Sequence, residues 1–316
     1  MPSLVGSEMC IRDRLNNDKN FLQLLAFTLS ALHLINATEK YTLKDIVSEL
    51  IPEDIESFLY ENKIYKGLAT TGNVAMCSAI ILIYANKFLN INCGDKLEKW
   101  IKTHLKYSNK YGLWGREDAS HLLFQQGYHQ FEIFEYLNIK ISKIEDTVSL
   151  INYIADERGQ FAPYYGGGGC YDYDAVFILT FMNRELAQED INLLLKTSST
   201  ILNEQNNDGG FSDSQWIRPR TINTLKKSLT HVFNNKHLFY ERMRYFISLQ
   251  RPKHNRYKTH WSRYSRNWNE SNLWDTWFRL LTIARIDHSV VKSGFNWGFI
   301  DFPGIGFHNS KNKLSK

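Results

Sequence analysis

Gln205-Asn206-Asn207-Asp208-Gly209-Gly210-Phe211 ends an amphipathic stretch in a glycine-x-aromatic turn. Two earlier segments end the same way, Tyr111-Gly112-Leu113-Trp114 and Arg158-Gly159-Gln160-Phe161. The glycines at 112, 159 and 209 stand 47 and 50 residues apart. A period of that size holds two helices and their turns, so the chain reads as a repeat of helix pairs. Each glycine can end its helix in the left-handed conformation. The aromatic residue two positions on can then fold back between neighbouring pairs.

Outward from these turns, apolar residues recur with helical period. Residues 21–35, 73–89 and 172–182 are apolar nearly all round, as buried helices are, whereas 95–107, 144–154 and 190–203 carry one apolar face. Residues 121–137 form a long aromatic-rich helix, and 222–233, 238–249 and 273–286 complete the set. Pro52-Glu53-Asp54 opens a further short helix. In a double ring, inner helices are buried on both sides and outer ones on one side, which produces this alternation. The expected fold is therefore all-α, a ring of helical hairpins around a central cavity, as one domain over residues 15–310. Residues 250–272 read as a polar, aromatic-rich loop over one end of the ring, and 311–316 as a charged tail. Residues 1–14, MPSLVGSEMCIRDR, resemble at Glu8–Asp13 a translated sequencing-library adapter. They are set aside together with Cys10, and the natural N-terminus is expected to be missing.

The segment 205–211 resembles the Q-x-x-x-G-x-W/F repeat of squalene–hopene cyclases and protein prenyltransferases. The other two turns keep the Gly-x-aromatic part, with Ser108 and Ala155 where the repeat has Gln. The resemblance spans the repeat plan from about residue 70 to 215. It implies the α/α toroid of the terpenoid cyclase and protein prenyltransferase superfamily. Fold alone does not fix the chemistry.

Three constellations could carry chemistry. The first is Gly166-Gly167-Gly168-Gly169-Cys170-Tyr171-Asp172-Tyr173-Asp174-Ala175, which leads into an apolar helix. Consecutive glycines mark close approach of a chain or ligand. One Asp can cap the helix; Asp172 is expected in that role and Asp174 in the cavity. Asp172-x-Asp174 resembles part of the D-x-D-D acid motif of class II terpene cyclases, with Ala175 replacing the last Asp. Cys170 with an Asp and a His instead resembles the zinc ligands of protein prenyltransferases, with the Cys and Asp in reversed order.

In the second constellation, His129 and Glu132 share a helix face at i, i+3. The pair can serve as base and orienting group, or hold a metal. His129 and Glu132 are expected to meet Cys170, Asp172 and Asp174 at one end of the ring. The third constellation is the basic, aromatic-interleaved stretch 251–268, followed by Asn272-Leu273-Trp274-Asp275-Thr276-Trp277-Phe278-Arg279. Arginine forks there could clamp a phosphate or carboxylate, and Asp275 could pair with Arg279 at i, i+4. Asn73, Gln126, Tyr171, Tyr173, Arg263, Trp274, Arg279 and His308 are expected to touch substrate. Asp174, Asp172, His129 and Glu132 would do the chemistry. The cofactor is open, with a divalent metal, zinc or magnesium, as the candidate.

The totals bound the partners. A net charge of +5, local to 251–268, is no nucleic-acid signature, and none is expected to bind. The longest apolar stretches, 21–35 and 75–85, fall short of the roughly 20 residues a bilayer needs. Peripheral membrane association stays open. No C-x-x-C pair occurs among the 4 Cys, which fits a reducing, cytoplasmic setting. Aromatics at 14% can fill a core or line a cavity. Three functions follow: an enzyme on an isoprenoid or its diphosphate, a lyase or hydrolase on an anionic glycan, or a non-catalytic binding toroid.

Overall fold

A computed structural model describes residues 19–35, 44–182, 184–216, 221–250, 256–258, 263–265, 270–304 and 306–307. The adapter-like residues 1–14 and the tail 311–316 lie outside them. Regular structure among the described residues is helical, apart from one short hairpin and an isolated bridge. The chain falls into two compact units interleaved in sequence, where the sequence reads as one domain. Of the described residues, those up to 109, 129–140 and 299–307 form the first, and those within 110–128 and 141–298 the second.

In the first unit, α1 (Lys19–Leu34), α2 (Lys44–Leu50) and α5 (Gly94–Tyr107) pack on α4 (Thr71–Phe88). Every residue of α4 from Val74 to Ala85 is buried, as its all-round apolar sequence requires. Amphipathic α5 buries Trp100, Thr103 and His104. The Trp100 indole N–H donates to the Ala75 carbonyl at 3.1 Å, and the His104 ring lies tilted against Trp100 with 3.7 Å between centroids. The short helix α3 (Ile55–Glu61) starts at Asp54, whose carboxylate accepts the Glu56 and Ser57 N–H groups. Helix α2 was not foreseen: it has only seven residues, with Val47 and Leu50 buried at i, i+3. Helix α6 (His121–Tyr136) gives residues 129–136 to this unit.

The second unit holds the start of α6, then α7 (Ile144–Ile154), α8 (Gly169–Leu179), α9 (Gln188–Leu202), α10 (Ile222–Phe233), α11 (Phe239–Gln250) and α12 (Leu273–Ile286). Helix α8 is buried from Tyr171 to Leu179 and packs against α7 and α12, while α9 packs on α12 and α10 pairs with α11. The stretch 250–272, expected as a loop, contains an antiparallel hairpin of β1 (Arg256–Lys258) and β2 (Arg263–Ser265), with Tyr257 opposite Tyr264. Three-residue strands are too short for their alternation to be read from sequence.

The three glycine turns share one geometry. Gly112, Gly159 and Gly209 have φ of 74, 75 and 85°, and Trp114, Phe161 and Phe211 are buried behind them. In the second turn the Gly159 N–H donates to the Asp156 carbonyl at 3.0 Å, and the Asp156 N–H to the Gln160 carbonyl at 2.9 Å. Asn206, Gly209 and Gly210 repeat both bonds in the third, each at 2.9 Å. A threonine further along the chain clamps each turn. Thr147 Oγ1 donates to the Tyr111 carbonyl at 2.5 Å, Thr197 Oγ1 to the Gly159 carbonyl at 2.6 Å, and Thr276 Oγ1 accepts the Phe211 N–H at 2.9 Å. Thr197→Val keeps the shape and orphans the Gly159 carbonyl, so it should cost about 1–3 kcal/mol in urea unfolding. A variant as stable as the parent would show that the clamp contributes nothing.

Helix α8 starts three residues before the expected Asp172, inside the glycine run. Gly166 and Gly167 take φ of 93 and 72°, which a side chain would resist. A Cβ on Gly168 would collide with the Tyr164 hydroxyl. The Gly169 N–H, an unsatisfied first-turn donor, is accepted by Asp213 Oδ1 at 3.2 Å. Asp172 is therefore not the cap: it lies at the end of the first turn, and Asp213, 44 residues after Gly169, takes over that task.

Candidate functional site

Asp172 is the centre of a buried polar network in the second unit. Its Oδ1 accepts the Phe161 N–H at 2.8 Å and its Oδ2 an N–H of Arg279. Arg279 also donates to the Asp213 carbonyl at 2.6 Å and the Gly166 carbonyl at 3.4 Å, with Glu204 at 3.8 Å. Glu204 in turn holds Arg158 at 2.6 Å, Trp216 Nε1 at 2.9 Å and Gln160 Nε2 at 3.1 Å. One network thus ties the second turn, the glycine run, the third turn and α12 together. Burial pushes the Asp172 carboxyl up to about 7, against the pull of Arg279 and the Phe161 N–H, and the negative charge of Asp156 and Glu204 adds to the rise. Arg279, expected to grip a substrate anion, is 1% exposed. It grips Asp172 instead, and no free fork is left for a ligand.

The start of α8 also gathers acids. The Cys170 thiol is pushed well up, first by burial and then by the negative charge of Asp174, Asp213, Asp275 and Asp172. Asp275 Oδ1 lies 3.5 Å from where a Cβ on Gly169 would sit. Asp174 and Asp275 are buried and Cys170 is half-buried. Tyrosines wall the cluster. The Tyr164 hydroxyl donates to Asp213 at 3.0 Å, the hydroxyls of Tyr171 and Tyr245 are 3.0 Å apart, and Tyr164 lies 6.3 and 6.2 Å from the Tyr171 and Tyr245 rings. Tyr173 packs instead into the aromatic core with Tyr128 and Phe278, and Trp274 lies against Phe278 at 5.0 Å. Among the described residues, no three of His, Cys, Asp and Glu are placed to share a metal ion. The zinc reading of Cys170 therefore has no support from the geometry.

In the first unit, His129 Nε2 meets the Asn73 side-chain amide at 2.8 Å, which joins two of the expected site residues. Glu132 accepts the Gly304 N–H and so anchors the segment 299–304, where Ser30 Oγ also donates to the Pro303 carbonyl at 2.6 Å. Gln126 lies in the second unit, with its Nε2 2.6 Å from Gln125 Oε1. Cys170, Asp172 and Asp174 also belong to the second unit, and His129 and Glu132 to the first. His308 and the side chain of Arg263 lie outside the described residues.

Two arginines that sequence reasoning passed over complete the frame. Arg242 is buried and donates to the Ile154 carbonyl at 3.1 Å, the His231 carbonyl at 2.9 Å, Asn234 Oδ1 at 2.7 Å and His121 Nε2 at 3.2 Å. It sits at the C-terminal ends of α7 and α10, where the helix dipole favours a cation. Arg285 donates to Thr180 Oγ1 at 2.8 Å just past α8, with its guanidinium 3.7 Å from the Phe177 ring centroid. An arginine inside an apolar helical run, as in Leu280–Ile286, is the signal that could have found it.

The chain matches no family model, no curated protein and no solved structure. Among the described residues, no helix is long and apolar enough to cross a membrane.

Proposed function

We propose that the chain is an α/α toroid of the terpenoid cyclase and protein prenyltransferase kind, and that it takes an isoprenoid at the tyrosine-walled acid cluster opening α8. The observation that carries this reading is the gathering of Asp174, Asp213 and Asp275 around Cys170, beside Tyr164, Tyr171 and Tyr245. Protonating an alkene needs a carboxylic acid whose anion is disfavoured. Such an acid must be screened from water, and Asp174 and Asp275 are buried. Aromatic faces stabilise the cation that forms. Ala175 stands where the D-x-D-D motif has its last Asp, and Asp213 and Asp275 bring carboxylates from two other segments. A diphosphate would be repelled by these acids unless a divalent cation such as magnesium masked them, so an uncharged polyene fits better. The common geometry of the turns at Gly112, Gly159 and Gly209 supports the toroid as the frame.

The test uses squalene, and farnesyl diphosphate with and without magnesium, read by thermal shift and by product analysis. Binding or turnover of one of them is expected. Asp174→Asn should abolish turnover and leave the melting temperature unchanged or raised, because a buried carboxylate held for function burdens stability. If neither probe binds or reacts, the isoprenoid reading is wrong. If Asp174→Asn mainly unfolds the protein, Asp174 is structural.

A further inference from the structure

A groove of about 650 Å³ opens in the second unit between the first glycine turn, α7 and the turn before α11. It shares no lining residue with the acid cluster. Its size is within the range of about 300–1,000 Å³ of small-molecule sites. Tyr111 and Tyr153 supply aromatic surface, Leu150 lies at its base, and Lys110, Glu117 and His237 stand at its rim.

The groove is built rather than incidental. Tyr153 is 47% exposed, yet its hydroxyl donates to Asn235 Oδ1 at 3.0 Å. The same oxygen accepts the His237 N–H at 3.0 Å and the Leu238 N–H at 3.3 Å. One amide therefore fixes both the Tyr153 ring and the backbone that carries His237, with 6.5 Å between the two rings. The Tyr111 backbone is fixed through its carbonyl, which accepts from Thr147 Oγ1 at 2.5 Å, and Lys110 Nζ lies 5.0 Å from its ring centroid. Rigid aromatic surfaces with polar groups at their edges suit a ligand that is apolar on one face and hydrogen-bonding along its rim.

We infer that this groove is a binding site for a neutral saccharide. A pyranose ring offers C–H faces for Tyr111 and Tyr153, and hydroxyls at its edge for carboxylate, ammonium and imidazole, which accept and donate as needed. The rim selects no strong charge, because Lys110 and Glu117 bring opposite charges to the lining, and Asp118 is paired with Arg116 at 2.7 Å.

The full chain should be titrated with maltotriose, cellotriose, tri-N-acetylchitotriose and tri-galacturonate, by calorimetry and by ligand-observed NMR. One of the three neutral sugars is expected to bind. Tyr153→Ala should weaken it at least tenfold, about 1.4 kcal/mol. Tyr153→Phe keeps the ring and loses only the Asn235 bond, so it should retain most of the affinity, and Asp174→Asn should bind as the parent does. No binding by any neutral sugar would overturn the inference. So would tighter binding of tri-galacturonate, or affinity that survives Tyr153→Ala. Loss of sugar binding in Asp174→Asn would place the sugar at the acid cluster and count against the groove, whereas failure of the isoprenoid probes leaves these outcomes as they stand.

Discussion

Arg279→Met is expected to lower the melting temperature by on the order of 10 °C, or to leave no folded protein. The change keeps side-chain volume and apolar stem and removes only the guanidinium. What remains is Asp172, fully buried, with Glu204 near it, and the carbonyls of Asp213 and Gly166 without the donor that now satisfies them. Breaking a buried ion pair from one side costs about 3–5 kcal/mol, a large share of the roughly 5–15 kcal/mol that holds a domain folded. Asp172 can soften the loss by taking up a proton, so the defect should be smaller below neutral pH. Asp172→Asn should cost less, because its single amide oxygen can still accept from one of the two donors, Phe161 or Arg279, and Arg279 keeps Glu204 and the carbonyls of Asp213 and Gly166. The double variant should be more stable than Arg279→Met alone, since it no longer buries an unpaired carboxylate. Melts of the three variants decide the matter. If Arg279→Met melts with the parent, the network is not what holds the second unit together, and Arg279 becomes a ligand-binding candidate again.

That pairing was not legible in the sequence. Arg279 has Asp275 one helical turn before it, the local partner that spacing favours, yet it bonds Asp172, 107 residues away. Long-range choices of this kind depend on which elements pack, and periodicity does not report that. The helices themselves were legible, because burial imposes a period: α7, α10 and α12 begin and end where the apolar pattern does. The start of α8 was not, since glycine disfavours a helix interior and only the remote Asp213 lets the helix begin at Gly169. The turn glycines were legible from their positive φ requirement. A further signal was present and unread: Asn109, Asp156 and Asn206 each stand three residues before a turn glycine. In two of the turns the backbone of that residue closes the loop. The acids around Cys170 were half legible. Asp172 and Asp174 stood out as a motif, whereas Asp213 and Asp275 joined them only through the fold.

Acid is expected to unfold the protein well above the pH at which carboxylates normally titrate. Burial depresses His104 and His231 to about 3, and burial together with the Arg242 cation depresses His121 well below its ordinary value. In the unfolded chain all three titrate near 6.5. Between about 6.5 and 3 the unfolded chain therefore binds protons that the folded protein refuses. The stability these histidines contribute is complete above about 6.5 and is lost as pH falls, at up to about 1.4 kcal/mol per pH unit for each. Asp172 acts in the opposite sense. Its folded carboxyl titrates at about 7 against an ordinary 3.8, so over that window the folded protein holds a proton that the unfolded chain releases. Stability from this group is complete below about 4 and is lost as pH rises towards 7. Asp156 and Glu241, also raised by burial, act with it, and the acid loss is shallower than the histidines alone would make it. Asp172→Asn removes one opposing proton. Its stability relative to the parent should therefore fall as pH is lowered from 7 to 5, by about 1.4 kcal/mol per pH unit, and its acid transition should steepen. Urea unfolding of both proteins at pH 5, 6, 7 and 8 measures this directly. Parallel curves across the series would mean that Asp172 is ionised throughout, held as an anion by Arg279, and that burial does not govern its proton.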